Sequence, residues 1–203
     1  MKRLVVVGIV LLSTAAMSQE QILFSGKVES GGYGGIVGQV CQINNSTVLM
    51  IGGQGGWIID HSFILGGGAY GLTTNVKADV QRSDGSDLYL NVGYGGLLLE
   101  YVFESDKLLH FSMHTLIGGG GINYTTHKMG DEYSQYEDYS EPIDQDAFFV
   151  AEPGITLTLN VTRFFRLGLG GTYRYVSGIS TVGLTNDDLS GFGANLYFNF
   201  GKF

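Results

Sequence analysis

Three groups of residues in this chain have types and spacings that could do chemistry. His110-Phe111-Ser112, with Glu100 upstream, supplies a hydroxyl, an imidazole and a carboxylate, the set that activates a serine nucleophile. His110 and His114 also offer two imidazoles, but a zinc site needs a third protein ligand, and no spacing provides one; no metal is expected there. A second group consists of charges isolated among apolar and glycine residues: Glu100, Glu152, Arg166 and Arg174. The third is the stretch from His127 to Ala147, which carries Asp131, Glu132, Glu137, Asp138, Glu141, Asp144 and Asp146 against one lysine. Tyr133, Tyr136 and Tyr139 are interleaved in it at every third position. Tyrosine supplies contact area at low entropic cost and clustered carboxylates attract Ca²⁺ or a cationic partner, so Asp131, Glu132, Tyr133, Tyr136, Glu137, Asp138 and Tyr139 are read as a recognition patch. Gly130 precedes the acidic series rather than interrupting it, which is not the spacing of an EF-hand.

What must position these groups is set by composition. The 203 residues are enough for one domain. Charged residues are 15% of the chain, against a usual ~25%, and the missing charge is replaced by glycine. There are 33 Gly, 12 Tyr and 12 Phe but only 2 Pro, which excludes collagen-like and proline-rich disordered chains. A net charge of −8 argues against a nucleic-acid partner, since phosphate binding needs clustered Lys and Arg. Cys41 is the only cysteine, so there is no internal disulfide framework. Lys2 and Arg3 followed by the apolar run Leu4 to Met17 read as an export signal over residues 1–18, leaving 19–203 as a single domain. That run is shorter than the ~20 residues a spanning helix requires.

The rest of the chain divides into eight strand-like segments near Gly32–Ile43, Thr47–Ile59, Ser62–Asn75, Leu88–Phe103, Leu108–Thr126, Phe148–Val161, Phe165–Ser177 and Gly191–Phe203. Tight turns at Asp60-His61, Ser105-Asp106-Lys107 and Thr162-Arg163-Phe164 alternate with the longer polar connections Val76–Asp87, His127–Ala147 and Gly178–Ser190. Alternation is clean late in the chain: Phe165, Leu167, Leu169, Gly171, Tyr173 and Tyr175 share one face, and Arg166, Gly168, Gly170, Thr172 and Arg174 the other. Segments of a dozen residues exceed the ~5–6 of ordinary strands, and uneven rims are the mark of outer-membrane barrels. Aromatics near segment ends (Tyr33, Trp57, Tyr70, Tyr89, Tyr101, Phe103, Phe148, Phe149, Phe165 and Tyr175) fit interfacial girdles. The expected fold is therefore all-β: an eight-stranded antiparallel up-and-down transmembrane barrel with apolar side chains outward and the polar face within.

These features, with the ending Tyr197-Phe198-Asn199-Phe200-Gly201-Lys202-Phe203, resemble the small outer-membrane barrels of the OmpA/OmpX type. Gly55-Gly56-Trp57-Ile58-Ile59-Asp60-His61 and Gly66-Gly67-Gly68-Ala69-Tyr70-Gly71-Leu72 look like an uncharacterised glycine-rich group of them, a likeness that implies no activity. The resemblance implies an outer-membrane location, contact with outer-membrane lipid and lipopolysaccharide, and the barrel-assembly machinery and an extracellular protein as partners. It implies no cofactor; a loop-bound Ca²⁺ is the one ion the acidic stretch suggests.

Turn lengths then fix which residues meet. A three-residue turn at Thr162–Phe164 sets Glu152 opposite Arg174 and Asn160 opposite Arg166, so Glu152–Arg174 is expected as an inward ion pair, and Glu100 and Arg166 are expected among the interior ion pairs as well. A three-residue turn at Ser105–Lys107 sets Glu100 opposite Ser112, flanked by His110 and His114. Asn91 and Glu100 have opposite parity, so both face inward only if a bulge intervenes near Gly95-Gly96. His110-Phe111-Ser112 also resembles the His-x-Ser element of outer-membrane lipid A deacylases. Those sites face lipid, whereas this one is expected to point inward beside a short turn. The function read from the sequence is a non-enzymatic structural or surface-interaction barrel with its interior plugged by side chains. The alternatives are a lipid-modifying hydrolase acting through Glu100, His110 and Ser112, and a small-ligand binder in the barrel mouth.

Overall fold

The computed structural model describes residues 29–81, 85–126 and 144–203. They form nine strands: β1 (Ser30–Ile43), β2 (Ser46–Ile59), β3 (Phe63–Leu72), β4 (Val76–Gln81), β5 (Asp87–Phe103), β6 (Leu109–Thr125), β7 (Gln145–Asn160), β8 (Phe165–Ser177) and β9 (Gly191–Lys202). A short helix, α1 (Asn186–Leu189), precedes β9. Every pairing is antiparallel; β1 closes on β9, and β5 receives β3 over most of its length and β4 beyond it. The nine strands thus occupy eight positions around a closed barrel, the architecture expected.

Local chemistry explains the connections. Asn44 and Asn45 have φ of 47° and 57°, and Asp60 and His61 have 51° and 55°. Asn44-Asn45 is a left-handed pair whose twist suits the two-residue hairpin between Ile43 and Ser46, whereas Asp60-His61 opens a three-residue turn between Ile59 and Phe63; Asn and Asp tolerate this conformation best. The third position departs from expectation. Thr73 Oγ1 donates to the Leu49 carbonyl at 2.7 Å and Thr74 Oγ1 accepts from the Leu49 N–H at 2.9 Å. The Thr73 N–H still donates to the Leu49 carbonyl at 3.0 Å, but the Leu49 N–H goes to a hydroxyl instead of a backbone carbonyl; the β2–β3 ladder ends there and the chain resumes as β4 on β5. Part of the expected Val76–Asp87 loop is therefore strand.

Side-chain direction follows the alternation read for the last three strands. On β8, Gly168, Thr172 and Arg174 are buried inward while Leu169, Tyr173 and Tyr175 are exposed. On β7, Val150, Glu152, Thr156 and Thr158 point in, and Phe149, Ile155, Leu157 and Leu159 point out. The outward set, with Ile36, Leu49, Ile51, Leu97, Met113, Ile117, Leu196 and Phe198, is an apolar belt over which none of the described residues is layered. Three girdle assignments are corrected: Tyr33, Tyr70 and Phe148 are buried in the interior, whereas Trp57, Tyr101, Phe149 and Tyr175 are exposed.

The narrow barrel brings backbones together. Gly96 and Gly118 pair across β5 and β6, and a Cβ on either would meet the opposing strand: Gly96 against the Ile117 carbonyl, Gly118 against the Gly95 carbonyl.

Candidate functional site

The interior is where the charged candidates converge, and its outer half is not polar as expected. Val37, Ile43, Val48, Met50, Leu88, Leu90, Val92, Ile122, Phe148, Val150 and Val176 form one buried apolar cluster there. Below it lies a polar band. Glu152 Oε1 accepts from Gln39 Nε2 at 2.7 Å and its Oε2 from the Tyr94 hydroxyl at 2.6 Å. Gln39 Nε2 and Asn195 Nδ2 both reach Thr172 Oγ1, at 3.3 and 3.0 Å.

Glu152 and Arg174 are both buried, and the β7–β8 ladder runs in the register the short turn predicts. Yet no direct ion pair joins them. Arg174 turns toward the outer rim, its Nε donating to the Leu189 carbonyl at 2.6 Å and its Nη2 to the Gln42 carbonyl at 3.2 Å. Its guanidinium carbon lies 5.6 Å from the centre of the Tyr94 ring, whose hydroxyl is the one that binds Glu152. The expected ion pair is therefore a relay through an aromatic ring. The reason is reach: a guanidinium at the upper edge of the polar band finds rim carbonyls closer than the carboxylate.

A parallel arrangement holds at the short-turn rim. Arg166 sits over the Phe203 ring at 4.0 Å and donates to the Ser105 carbonyl at 3.3 Å. Phe203 lies 6.0 Å, centroid to centroid, from Tyr33, whose hydroxyl reaches Glu100 at 3.4 Å. Again no ion pair links Glu100 to Arg166 directly. Phe203 faces inward here, among Tyr33, Ile58, Ile64 and Val102, so the terminal aromatic caps the lumen and Phe200 is the outermost lipid-facing one.

The hydrolase candidates are placed differently from the expectation. The β5–β6 ladder sets Glu100 opposite His114 and Ser112 opposite Val102. Glu104 adopts φ 53° and leaves the ladder, and Lys107 folds back on it with N–H to carbonyl at 3.0 Å and Nζ to Oε1 at 2.6 Å. That carboxylate holds the exposed Lys107 ammonium above its ordinary pKa. The turn is two residues longer than three, which shifts the register. No bulge occurs in the ladder at Gly95-Gly96, so Asn91 faces outward and only Glu100 inward. His110 and Ser112 are buried inside, and His110 Nδ1 lies 3.2 Å from the Lys107 carbonyl. His114 Nε2 lies 3.4 Å from the Tyr197 hydroxyl. Asp131, Glu132, Tyr133, Tyr136, Glu137, Asp138 and Tyr139 lie outside the described residues, as does the expected export signal.

Sequence reasoning missed Tyr94, Gln39 and Tyr33 as the residues that hold the two inward carboxylates, Glu152 and Glu100. Only inward parity could have revealed them, and in β1 and β5 both faces carry apolar residues.

An eight-position barrel with an uncovered apolar belt, side chains filling its interior and short turns at one rim is a small outer-membrane β-barrel. Comparison with solved structures agrees. The chain superposes on Neisserial surface protein A with a TM-score of 0.54 at 10% identity, over 88% of this chain and 100% of that one. For Ail, the attachment invasion locus protein of Yersinia pestis, in complex with the heparin analogue sucrose octasulfate, the TM-score is 0.51 at 10% identity, over 88% and 100%. For the N-terminal β-barrel domain of Pseudomonas aeruginosa OprF it is 0.50 at 15% identity, over 85% and 96%. What is shared at these identities is the fold, that of the OmpA/OmpX type, and with the apolar belt it gives the chain an outer-membrane location. No family model and no curated protein matches the sequence.

Proposed function

We propose that this protein is a non-enzymatic outer-membrane barrel that acts at its outer surface, with a lumen too full of side chains to conduct. The observation that carries this reading is the doubly occupied lumen: Arg174 and the apolar cluster at one end, Arg166 with Phe203 at the other. A barrel of eight strands is just wide enough for its own side chains. Chemistry offered to a partner then lies at the rim with longer connections, where the acidic, tyrosine-rich stretch 127–147 serves as the recognition patch. Ail was crystallised in complex with the heparin analogue sucrose octasulfate, whose sulfates are anionic; seven carboxylates against one lysine in this stretch favour the opposite choice, a cationic protein surface or Ca²⁺. The hydrolase reading has less support, since Glu100, His110 and Ser112 face inward and His110 engages a backbone carbonyl.

Two measurements test the proposal. In planar bilayers the refolded protein should give no stable single-channel current. Intact protein on beads should retain a basic partner from surface extracts, with retention lost when residues 129–142 are replaced by a glycine-serine linker. Steady conductance, or retention that survives the replacement, would overturn it.

A further inference from the structure

The connection 178–190 between β8 and β9 folds back over the outer mouth instead of standing in solvent. Thr181, Leu184 and Leu189 are buried by it. Leu184 and Leu189 join the apolar cluster that Ile43, Val48, Val76, Phe148 and Val176 build from β1, β2, β4, β7 and β8. The segment is internally tied: the Thr185 N–H and hydroxyl bind Asp188 Oδ2 at 2.8 and 2.7 Å, and the Ile179 N–H binds Asn186 Oδ1 at 2.9 Å. It therefore has the bonding to move as one piece.

Its ties to the barrel are polar and mostly peripheral. The Tyr124 hydroxyl donates to the Val182 carbonyl at 2.6 Å, and the Asn44 N–H to the Asp188 carbonyl at 2.8 Å. Asp146 Oδ2 accepts from the Ser180 N–H and hydroxyl at 2.5 and 2.8 Å. The innermost tie is Arg174, which grips the Leu189 carbonyl and lies 3.4 Å from both Cys41 Sγ and Met50 Sδ. Water can replace the rim bonds at little net cost; it does not reach Arg174 while the segment is down. At the two ends stand Gly178 and Gly191, with φ of 104° and 157°. A Cβ at Gly191 would meet nothing within 4 Å and one at Gly178 only ordinary contacts. Glycine is there for backbone conformation, as a hinge requires.

We infer that residues 178–190 are a hinged lid latched by Arg174, and that Leu184 and Leu189 occupy an apolar pocket in the outer lumen that an alkyl chain or small apolar molecule would fill when the lid lifts. The lid is the occupant in the closed state, and the ligand is its competitor. This device does not involve the patch residues Asp131 to Tyr139; it meets the stretch 127–147 only at its end, where Asp144 and Asp146 bind the lid.

Cys41, the chain's only cysteine and buried beneath the lid, reports opening. In refolded protein, the rate of Cys41 alkylation by a membrane-impermeant maleimide should rise about 2- to 10-fold in Tyr124→Phe, the range one lost hydrogen bond allows. It should rise further in Arg174→Met. Both variants should keep heat-modifiable gel migration; if Arg174→Met does not fold, Tyr124→Phe alone decides, because it removes the hydroxyl that binds the Val182 carbonyl of the lid. Photolysis with an apolar phenyl diazirine, followed by peptide mapping, should then place adducts on the inward Val48, Met50 and Val176 in the variant and on outward residues only in the parent. An unchanged alkylation rate in folded Tyr124→Phe would overturn the lid. Faster alkylation with adducts confined to outward residues would overturn the pocket.

Discussion

Tyr94 stands between the two charges that the short turn at Thr162–Phe164 brings face to face, and it changes what each is worth. Its hydroxyl binds Glu152 at 2.6 Å and its ring lies under the Arg174 guanidinium. A hydrogen bond to a charged group contributes about 1.5–3 kcal/mol, so Tyr94→Phe should lower stability by about that amount in a denaturant titration of the micelle-bound protein. The relay also predicts which pairs couple. In double-mutant cycles, Tyr94→Phe with Glu152→Gln should be strongly non-additive. Glu152→Gln with Arg174→Met should couple less, because the two side chains share no bond. Stronger coupling in the second cycle than in the first would mean that the charges meet directly. The turn length made this neighbourhood readable from residues alone: parity puts Glu152 and Arg174 inward, and the turn sets them opposite. The tyrosine between them was not readable, because its position depends on closing the barrel across strands distant in sequence.

At the scale of the element, legibility tracks the contrast between the two faces of a strand. β7, β8 and β9 alternate apolar and polar or glycine residues, and their inward and outward sets are as the pattern predicts. In β1 the inward Val37, Cys41 and Ile43 are as apolar as the outward Ile36 and Val40. Where both faces are apolar, alternation carries no direction, which is why Tyr33 and Tyr70 do not reveal their inward side; Phe148 shares the inward parity of Val150 and Glu152, and only its place at a strand end suggests a girdle. The turn at Glu104–Leu108 was misread because a left-handed glutamate is uncommon; composition favours the three polar residues alone. Most strand glycines divide by the same two faces, with outward Gly55 and Gly95 as exceptions that also crowd a neighbouring carbonyl. At Gly96 a Cβ would collide with the Ile117 carbonyl, so Gly96→Ala should destabilise the barrel by ~1–3 kcal/mol, the usual cost of overpacking. At Gly38, which faces outward, a Cβ would meet nothing within 4 Å. Gly38→Ala should be neutral or stabilise by up to ~1 kcal/mol, since alanine orders a strand at lower entropic cost. Urea titrations of the two variants measured together would separate the classes. Equal losses would show that barrel width does not select the inward glycines.

For the whole molecule the governing fact is that the apolar layer lies on the outside. Where β3 pairs with β5 the ladder is closed and leaves no open edge, which is the condition for a sheet to cross a bilayer, where unpaired backbone groups are costly. Leu169 tests this most directly. It is 65% exposed, lies near the middle of β8, and pairs with Leu157 on one side and Leu196 on the other, so its outward neighbours are apolar as well. In water, replacing such a leucine by arginine would be harmless or would improve solubility. In a bilayer, an arginine facing lipid near the midplane costs ~2–4 kcal/mol, and the cost falls toward the interfaces. Leu169→Arg should therefore reduce the fraction that folds into phospholipid vesicles, read from the heat-modifiable band. An arginine at Phe165, at the short-turn end of the same strand, should reduce it much less. The pairing of the two variants separates membrane depth from lost packing, since both remove a large apolar side chain from the same strand. If both folded as well as the parent, the outward belt would not be facing lipid.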